Sequence, residues 1–171
     1  TLKHLIQYLQ GKGVDIVLEE HVSYVLPGHG LSVYSHEALG QQCDLAIVVG
    51  GDGSMLTAAR ALAKHHVPVV GINRGGLGFL TDIAPDELEQ RLDDVFAGNY
   101  ESEARFMLEG NINRDGVTLS QGQALNDIVL SAGSSGRMIE FELYVDDRFV
   151  YSQRSNGLII STPTGSTAYS L

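Results

Sequence analysis

The 171-residue chain has a single cysteine, Cys43. One thiol makes no disulfide framework and no cysteine-based zinc site. Basic residues are also scarce, with 11 Lys and Arg against 21 Asp and Glu, for a formal net charge of −10. That excess of acid argues against a nucleic-acid or anionic-membrane surface working through bulk charge. It does not exclude a nucleotide site, because backbone N–H groups and helix N-termini hold phosphates without a basic patch. The longest apolar runs, residues 45–49 and 67–72, are far too short to span a bilayer. No charged-then-apolar signal segment opens the chain. A soluble cytoplasmic protein with no nucleic-acid or membrane partner is expected. His4, His21, His29 and His36 show no ligand spacing, and His65–His66 closes a helix, where imidazolium is mildly favourable. No side-chain metal site is therefore expected. What the chain does have is 43% apolar residues, enough for a sizeable core and against disorder. Its length suits one domain, or one domain and part of a second.

The first half alternates helix and strand. Residues 1–10 put Leu2, Leu5, Ile6 and Leu9 on one helical face. Gly11 and Gly13 stop that helix, and 14–18 follows as a short strand. Residues 44–49 form a continuous apolar run, as expected of a strand buried on both faces. Helix is expected over 54–66, buried strand over 67–72, and helix over 85–96, with Pro85 in its first turn and acids near its start. Such alternation predicts an α/β domain with a parallel sheet. After Gly98 the pattern changes. Ile139, Phe141, Leu143 and Val145 alternate with polar neighbours, Asp146–Asp147 break the run, and Phe149 and Tyr151 resume it. This predicts a β-hairpin with one face covered. Residues 158–161 read as another strand. An α/β nucleotide-binding domain over 1–98 and the first part of an all-β domain over 99–171 are expected, with both chain ends read as cuts in a longer protein.

Four motifs stand where chemistry is expected. Gly50-Gly51-Asp52-Gly53-Ser54 lies between an apolar strand and a helix. Ligands in open α/β sheets bind beyond the carboxyl ends of strands. Adjacent glycines let the backbone approach a ligand, and the helix start offers free N–H groups. Asp52 adds a carboxylate able to bind or deprotonate a hydroxyl. The bland alternative is a strand-to-helix turn with Asp52 and Ser54 as caps. No Gly-Lys-Ser/Thr follows, which excludes a Walker A loop, and Leu56 stands where a dinucleotide fingerprint needs its third glycine.

The second motif, Asn73-Arg74-Gly75-Gly76-Leu77-Gly78-Phe79-Leu80, follows the next buried strand at the same sheet edge. Its glycines and Arg74 suit phosphates and Phe79 suits a base, or it is a flexible loop with Phe79 in the core. The third, Ala124-Leu125-Asn126-Asp127-Ile128-Val129-Leu130, sets two polar residues inside an apolar run. Buried polar groups need partners, whether a ligand or a local bulge or turn. The fourth couples Arg154-Ser155-Asn156-Gly157 with Ser161-Thr162-Pro163-Thr164-Gly165-Ser166-Thr167-Ala168-Tyr169-Ser170. Its hydroxyls suit a ribose or phosphate, or a capped loop. The Asp93–Asp94 and Glu101–Glu103 pairs read as solvated, and Asp146–Asp147 as a turn.

In this order the four motifs resemble the NAD kinase family, especially its bacterial branch, over nearly the whole chain. Gly-Gly-Asp-Gly alone also occurs in diacylglycerol and sphingosine kinases and in 6-phosphofructokinases. Its combination with Asn-Arg-Gly-Gly-Leu-Gly-Phe-Leu and Thr-Pro-Thr-Gly-Ser-Thr-Ala-Tyr is highly specific. The resemblance implies an α/β nucleotide domain followed by a β-sandwich, with NAD between them. It implies transfer of a phosphoryl group from ATP to the 2′-hydroxyl of the adenosine ribose of NAD. It further implies a divalent cation, Mg²⁺ or Mn²⁺, accompanying ATP, and a homodimer or homotetramer.

By the same resemblance Asp52 orients or deprotonates the ribose hydroxyl, Gly53 lies against the ligand and Phe79 packs near adenine. Asn126 and Asp127 hold the ribose. Thr167, Ala168, Tyr169 and Ser170 line the adenine and nicotinamide sides, with Tyr169 reaching a neighbouring subunit's site. Arg137, Arg154 and Asn156 fall at further ligand-contact positions. The chain departs from the family twice. Asp127 stands where Glu is usual, shortening the reach by one methylene. Asn156 stands where Asp is usual, keeping a hydrogen bond but no charge. Two other functions compete: a lipid kinase of the diacylglycerol class, sharing the Gly-Gly-Asp-Gly loop, and a non-catalytic NAD-binding regulator.

Overall fold

A computed structural model of the chain describes residues 1–76, 78–133 and 136–168. The chain divides into two compact units, Thr1–Glu103 and Ala104–Leu171.

The first unit opens on α1 (Leu2–Lys12), ended by Gly13 in the left-handed conformation with φ 70°. Then come β1 (Val17–Glu19), α2 (Glu20–Tyr24), β2 (Ser32–Tyr34) and α3 (His36–Gln42). The Glu19 side chain caps α2, accepting from the His21 and Val22 N–H groups, and Ser35 caps α3. β3 (Ala46–Val49), α4 (Asp52–Leu62), β4 (Val69–Ile72) and α5 (Leu88–Phe96) complete the unit. β1 pairs with β2 and β3 with β4, both in parallel, Val49 lying opposite Ile72. The expected α/β character and parallel pairing are thus present.

The core gathers Leu5 and Leu9 of α1, Ile72 of β4, and Leu88 and Leu92 of α5, with Ile47, Val49, Val70 and Ile83 against them. Ile72, Leu88 and Leu92 are fully buried, each worth about 1.5–3 kcal/mol in apolar transfer. α1 and α5 therefore cover β3 and β4, fixing the strand ends from which both glycine loops leave. Above this core the Tyr8 hydroxyl donates to Asp93 at 2.6 Å, and Lys12 pairs with the same carboxylate. Asp93 is thus a helix-to-helix tie rather than a merely solvated acid.

Several boundaries differ from those expected. α4 begins at Asp52, two residues early, and ends at Leu62, followed by a 3-10 turn over Ala63–His65. α5 begins at Leu88, because residues 85–87 form a turn in which the Glu87 N–H bonds the Ala84 carbonyl. β3 is half-buried throughout, not dry on both faces. Its ladder is two strands wide, and the far edge of β4 carries a single further bridge, from Ile72 to Ile83.

The described strands of the second unit all pair antiparallel. β5 (Leu108–Arg114) pairs with β6 (Val117–Ala124) around Asp115–Gly116, whose φ values are 51° and 79°. β8 (Ile139–Val145) pairs with β9 (Arg148–Ser155) around Asp146–Asp147, at φ 49° and 61°. Positive φ at both central residues matches the right-handed twist of the flanking strands. β7 (Asp127–Ser131) pairs with β10 (Gly157–Ser161), Asp127 lying opposite Ser161. The expected hairpin and the strand near 158–161 are both present. Beyond β10 the described residues include a 3-10 turn over Gly165–Thr167.

Candidate active site

The first unit's site starts where β3 ends. The Gly50 N–H still bonds the Ile72 carbonyl at 2.9 Å, holding the Gly-Gly turn beside the exit of β4. A side chain at Gly50 would collide with Ser54, its Cβ 2.3 Å from Oγ, so this turn needs glycine. Gly51 is the N-cap of α4 and offers no side-chain cap. Asp52, the first helical residue, does not cap its own helix. Its carboxylate reaches across to the second loop. Oδ2 accepts from the Phe79 N–H at 3.0 Å, and Oδ1 from the Leu80 N–H at 2.9 Å. Charge-assisted bonds of this type are about twice as strong as neutral ones.

The second loop is pinned at both ends. Ile72 bridges to Ile83 in parallel, and the Asn73 N–H donates to the Ile83 carbonyl at 2.9 Å. Asn73 is buried, and its Oδ1 accepts from the Gly75 N–H at 3.1 Å, so its amide shapes the turn. Gly78 must be glycine for a steric reason. A Cβ there would stand 2.4 Å from Asp52 Oδ1 and 2.5 Å from Thr81 Oγ1. Arg74 and Gly53 are exposed, and nothing lies within 4 Å of a Cβ built at Gly53. Phe79 is 61% exposed, so its ring is not a core element.

The second unit has its own polar knot. Thr162, 1% exposed, donates from Oγ1 to the Leu125 carbonyl at 2.5 Å and accepts there from the Gly165 N–H at 3.1 Å. Its N–H donates to the Asn126 carbonyl at 2.8 Å. Gly165 packs so tightly on Asn126 that an added Cβ would stand 2.1 Å from the carbonyl oxygen. The Asn-Asp and Thr-Pro-Thr-Gly motifs are therefore joined through main chain. Asn126 and Asp127 are half-buried. Arg154 of β9 lies opposite Glu140 in the ladder, and the Asn156 carbonyl accepts from the Ala132 N–H at 3.2 Å. Arg137, Thr167 and Ala168 are exposed. Tyr169 and Ser170 lie outside the described residues.

Two sequence families account for these loops. The N-terminal domain model of the ATP-NAD kinases matches residues 6–100, and the C-terminal domain model matches 125–171. The chain belongs to the ATP-NAD kinase family. Curated NAD kinases from Ectopseudomonas mendocina and Azotobacter vinelandii are each 58% identical over all 171 residues, and that of Marinobacter nauticus is 57% identical. The chain spans 58% of the length of each of these relatives. A yeast NADH kinase crystallised with NADH superposes with a TM-score of 0.88 at 25% identity, covering 99% of this chain and 55% of that one. An NAD kinase from Archaeoglobus fulgidus in complex with ATP gives 0.64 at 28% identity, covering 90% of this chain and 62% of that one.

The family membership expected from the motifs is borne out, and the lipid-kinase and regulator alternatives are not favoured. Sequence reasoning missed the roles of Gly78, Thr81, Thr162 and Gly165 as packing partners. Only Thr81 left a signal, a hydroxyl closing the apolar Phe79-Leu80 pair.

Proposed function

We propose that the full-length protein is an NAD kinase, transferring the γ-phosphoryl group of ATP to the 2′-hydroxyl of the adenosine ribose of NAD. The observation carrying this reading is the Asp52 carboxylate, fixed between two glycine loops by the Phe79 and Leu80 amides. An ionised carboxylate has about four lone-pair sites. Two amide donors leave acceptor capacity for a hydroxyl, so a ribose hydroxyl is the natural third partner.

Phosphoryl transfer depends on positioning and charge neutralisation. Asp52 orients the 2′-hydroxyl and receives its proton as the oxygen bonds to phosphorus and ADP leaves. Open space at Gly53 admits the ligand beside the helix start, while Arg74 and the glycine N–H groups face phosphates. The exposed Phe79 ring offers a stacking surface for adenine. Asn126 and Asp127 are assigned to the ribose. Arg137, Arg154, Asn156, Thr167, Ala168, Tyr169 and Ser170 are assigned to the rest of the dinucleotide. Among the described residues no three His, Cys, Asp or Glu side chains gather to hold a metal ion. A Mg²⁺ or Mn²⁺ ion accompanying ATP would supply neutralisation of phosphate charge. A cytoplasmic homodimer or homotetramer completes the proposal.

The test is NADP formation from NAD, ATP and Mg²⁺ by the full-length protein, with Asp52→Asn beside it. Positioned acid–base groups contribute about 10²–10⁴-fold, and a loss of that order in kcat with NAD binding retained is expected. Wild-type protein that binds NAD but forms no NADP would overturn the kinase assignment.

A further inference from the structure

Thr81 is fully buried, yet its Oγ1 has no hydrogen-bond partner among the described residues. A buried hydroxyl left unpaired costs about 1–3 kcal/mol, and such groups in folded proteins commonly serve something other than stability. Two glycines fix which way it points. A Cβ at Gly71 of β4 would meet Thr81 Cγ2 at 3.0 Å and its Cα at 3.1 Å, so the methyl packs on the strand. A Cβ at Gly78 would meet Thr81 Oγ1 at 2.5 Å and Asp52 Oδ1 at 2.4 Å. The hydroxyl therefore faces the same small space beside Gly78 as the carboxylate. Branching at Cβ leaves threonine few rotamers, so packing of the methyl orients the oxygen.

We infer that Thr81 is a positioning residue for Asp52, its hydroxyl donating to Oδ1 when bound nucleotide draws the Phe79 and Leu80 amides away from the carboxylate. The inference rests on the kinase reading of Asp52. Phosphate oxygens compete for the same backbone N–H groups that hold the carboxylate in the ligand-free chain. Once those amides turn to phosphate, Asp52 needs another donor to keep its orientation. Thr81 is the unpaired hydroxyl beside it. Gly78, by leaving the space open, is what allows the exchange.

The experiment uses full-length protein with Thr81→Val, which keeps shape and removes the hydroxyl, and Thr81→Ser, which keeps the hydroxyl and removes the methyl. Hydrogen bonds to charged groups are worth enough to predict a kcat about tenfold lower or more in Thr81→Val. KM for NAD should stay within about twofold, because uniform binding is untouched. The melting temperature should hold or rise, since an unpaired buried hydroxyl is removed. Thr81→Ser should recover most of kcat. Wild-type kcat in Thr81→Val, or equal losses in both variants, would overturn the inference. A readout without turnover separates it from the kinase assignment: the ¹³C resonance of the Asp52 carboxylate in NAD-saturated protein. That resonance should move in Thr81→Val and return in Thr81→Ser. An unmoved resonance refutes the contact, while absence of NADP from wild-type protein refutes only the kinase.

Discussion

The two units tie their motifs together by opposite means. In the first, a charged side chain crosses to main chain 27 and 28 residues away, in a setting only half-buried. In the second, the neutral hydroxyl of Thr162 is sealed from water and both donates and accepts. An anion held by two amides can be displaced by another anion, because the amides do not discriminate between carboxylate and phosphate. A sealed hydroxyl bonded to its own main chain has no such competitor. The first tie is suited to exchange partners during a reaction, and the second to hold geometry still.

The sharpest way to break this comparison is Asp52→Asn. Beyond its effect on turnover, the amide presents an NH₂ group to one of two N–H donors. Exchange of the Phe79 and Leu80 amide hydrogens should quicken by about tenfold or more, from the loss of one charge-assisted bond. Unchanged protection at both amides would mean that the carboxylate does not hold the loop. Next in size is Gly165→Ala. Its Cβ would meet Asn126 main-chain atoms at 2.1, 2.4 and 2.6 Å, and backbone cannot swing aside as a side-chain tip can. Denaturant titration should show a loss of about 1–3 kcal/mol. A neutral result would show the second knot to be as yielding as the first.

Thr162→Val should cost no more than this, about 1–3 kcal/mol, because the Thr162 N–H still bonds Asn126 while the Leu125 carbonyl and Gly165 N–H lose a partner. The same titration measures it, and a cost above that of Gly165→Ala would reverse the ranking. The smallest effect belongs to Glu19, a third kind of tie. Burial pushes its carboxyl up, but bonds from the His21 ring and N–H outweigh this and hold it below the usual carboxylate range. The Glu19 hydrogen bond in turn raises His21. The carboxylate's contribution to stability is present above its unfolded pKa and fades as pH falls through the lowered one. The histidine's is present below its unfolded pKa and fades as pH rises through the raised one. The pair thus helps most between about pH 4.5 and 6.5. Melting temperatures of wild type and Glu19→Gln should differ most in that window. A difference independent of pH would remove the ion pair as its cause.

Much of the frame was legible in the sequence because period and glycine placement carry it. The apolar spacing of Leu5 and Leu9 gave α1, and the alternation from Ile139 to Val145 gave β8. Asp52 stood out through its neighbours. Its partners did not, because a bond to main-chain N–H groups leaves no trace in the identity of Phe79 or Leu80. The short α2, β2 and α3 were also silent, being only 5, 3 and 7 residues long, too short for periodicity to emerge. Thr162 is a threonine like any other until the fold buries it.

The nesting of the second unit's strands sets an order of events in time. β8 and β9 meet across a two-residue turn, whereas β7 and β10 meet only after the chain has returned from that hairpin. Closing a short loop costs little entropy, so the local hairpin forms first and shortens the span left for the outer pair. The outer ladder carries Asp127 at its end and leads into Thr162. Refolding slowed by a β-branched substitution at Asp146–Asp147, where φ is positive, should therefore delay the Thr162 knot as well, and equal timing of the two ladders in pulse-labelled exchange would contradict this sequence. The sealed Thr162 knot is, on this ordering, the last part of the second unit to be assembled.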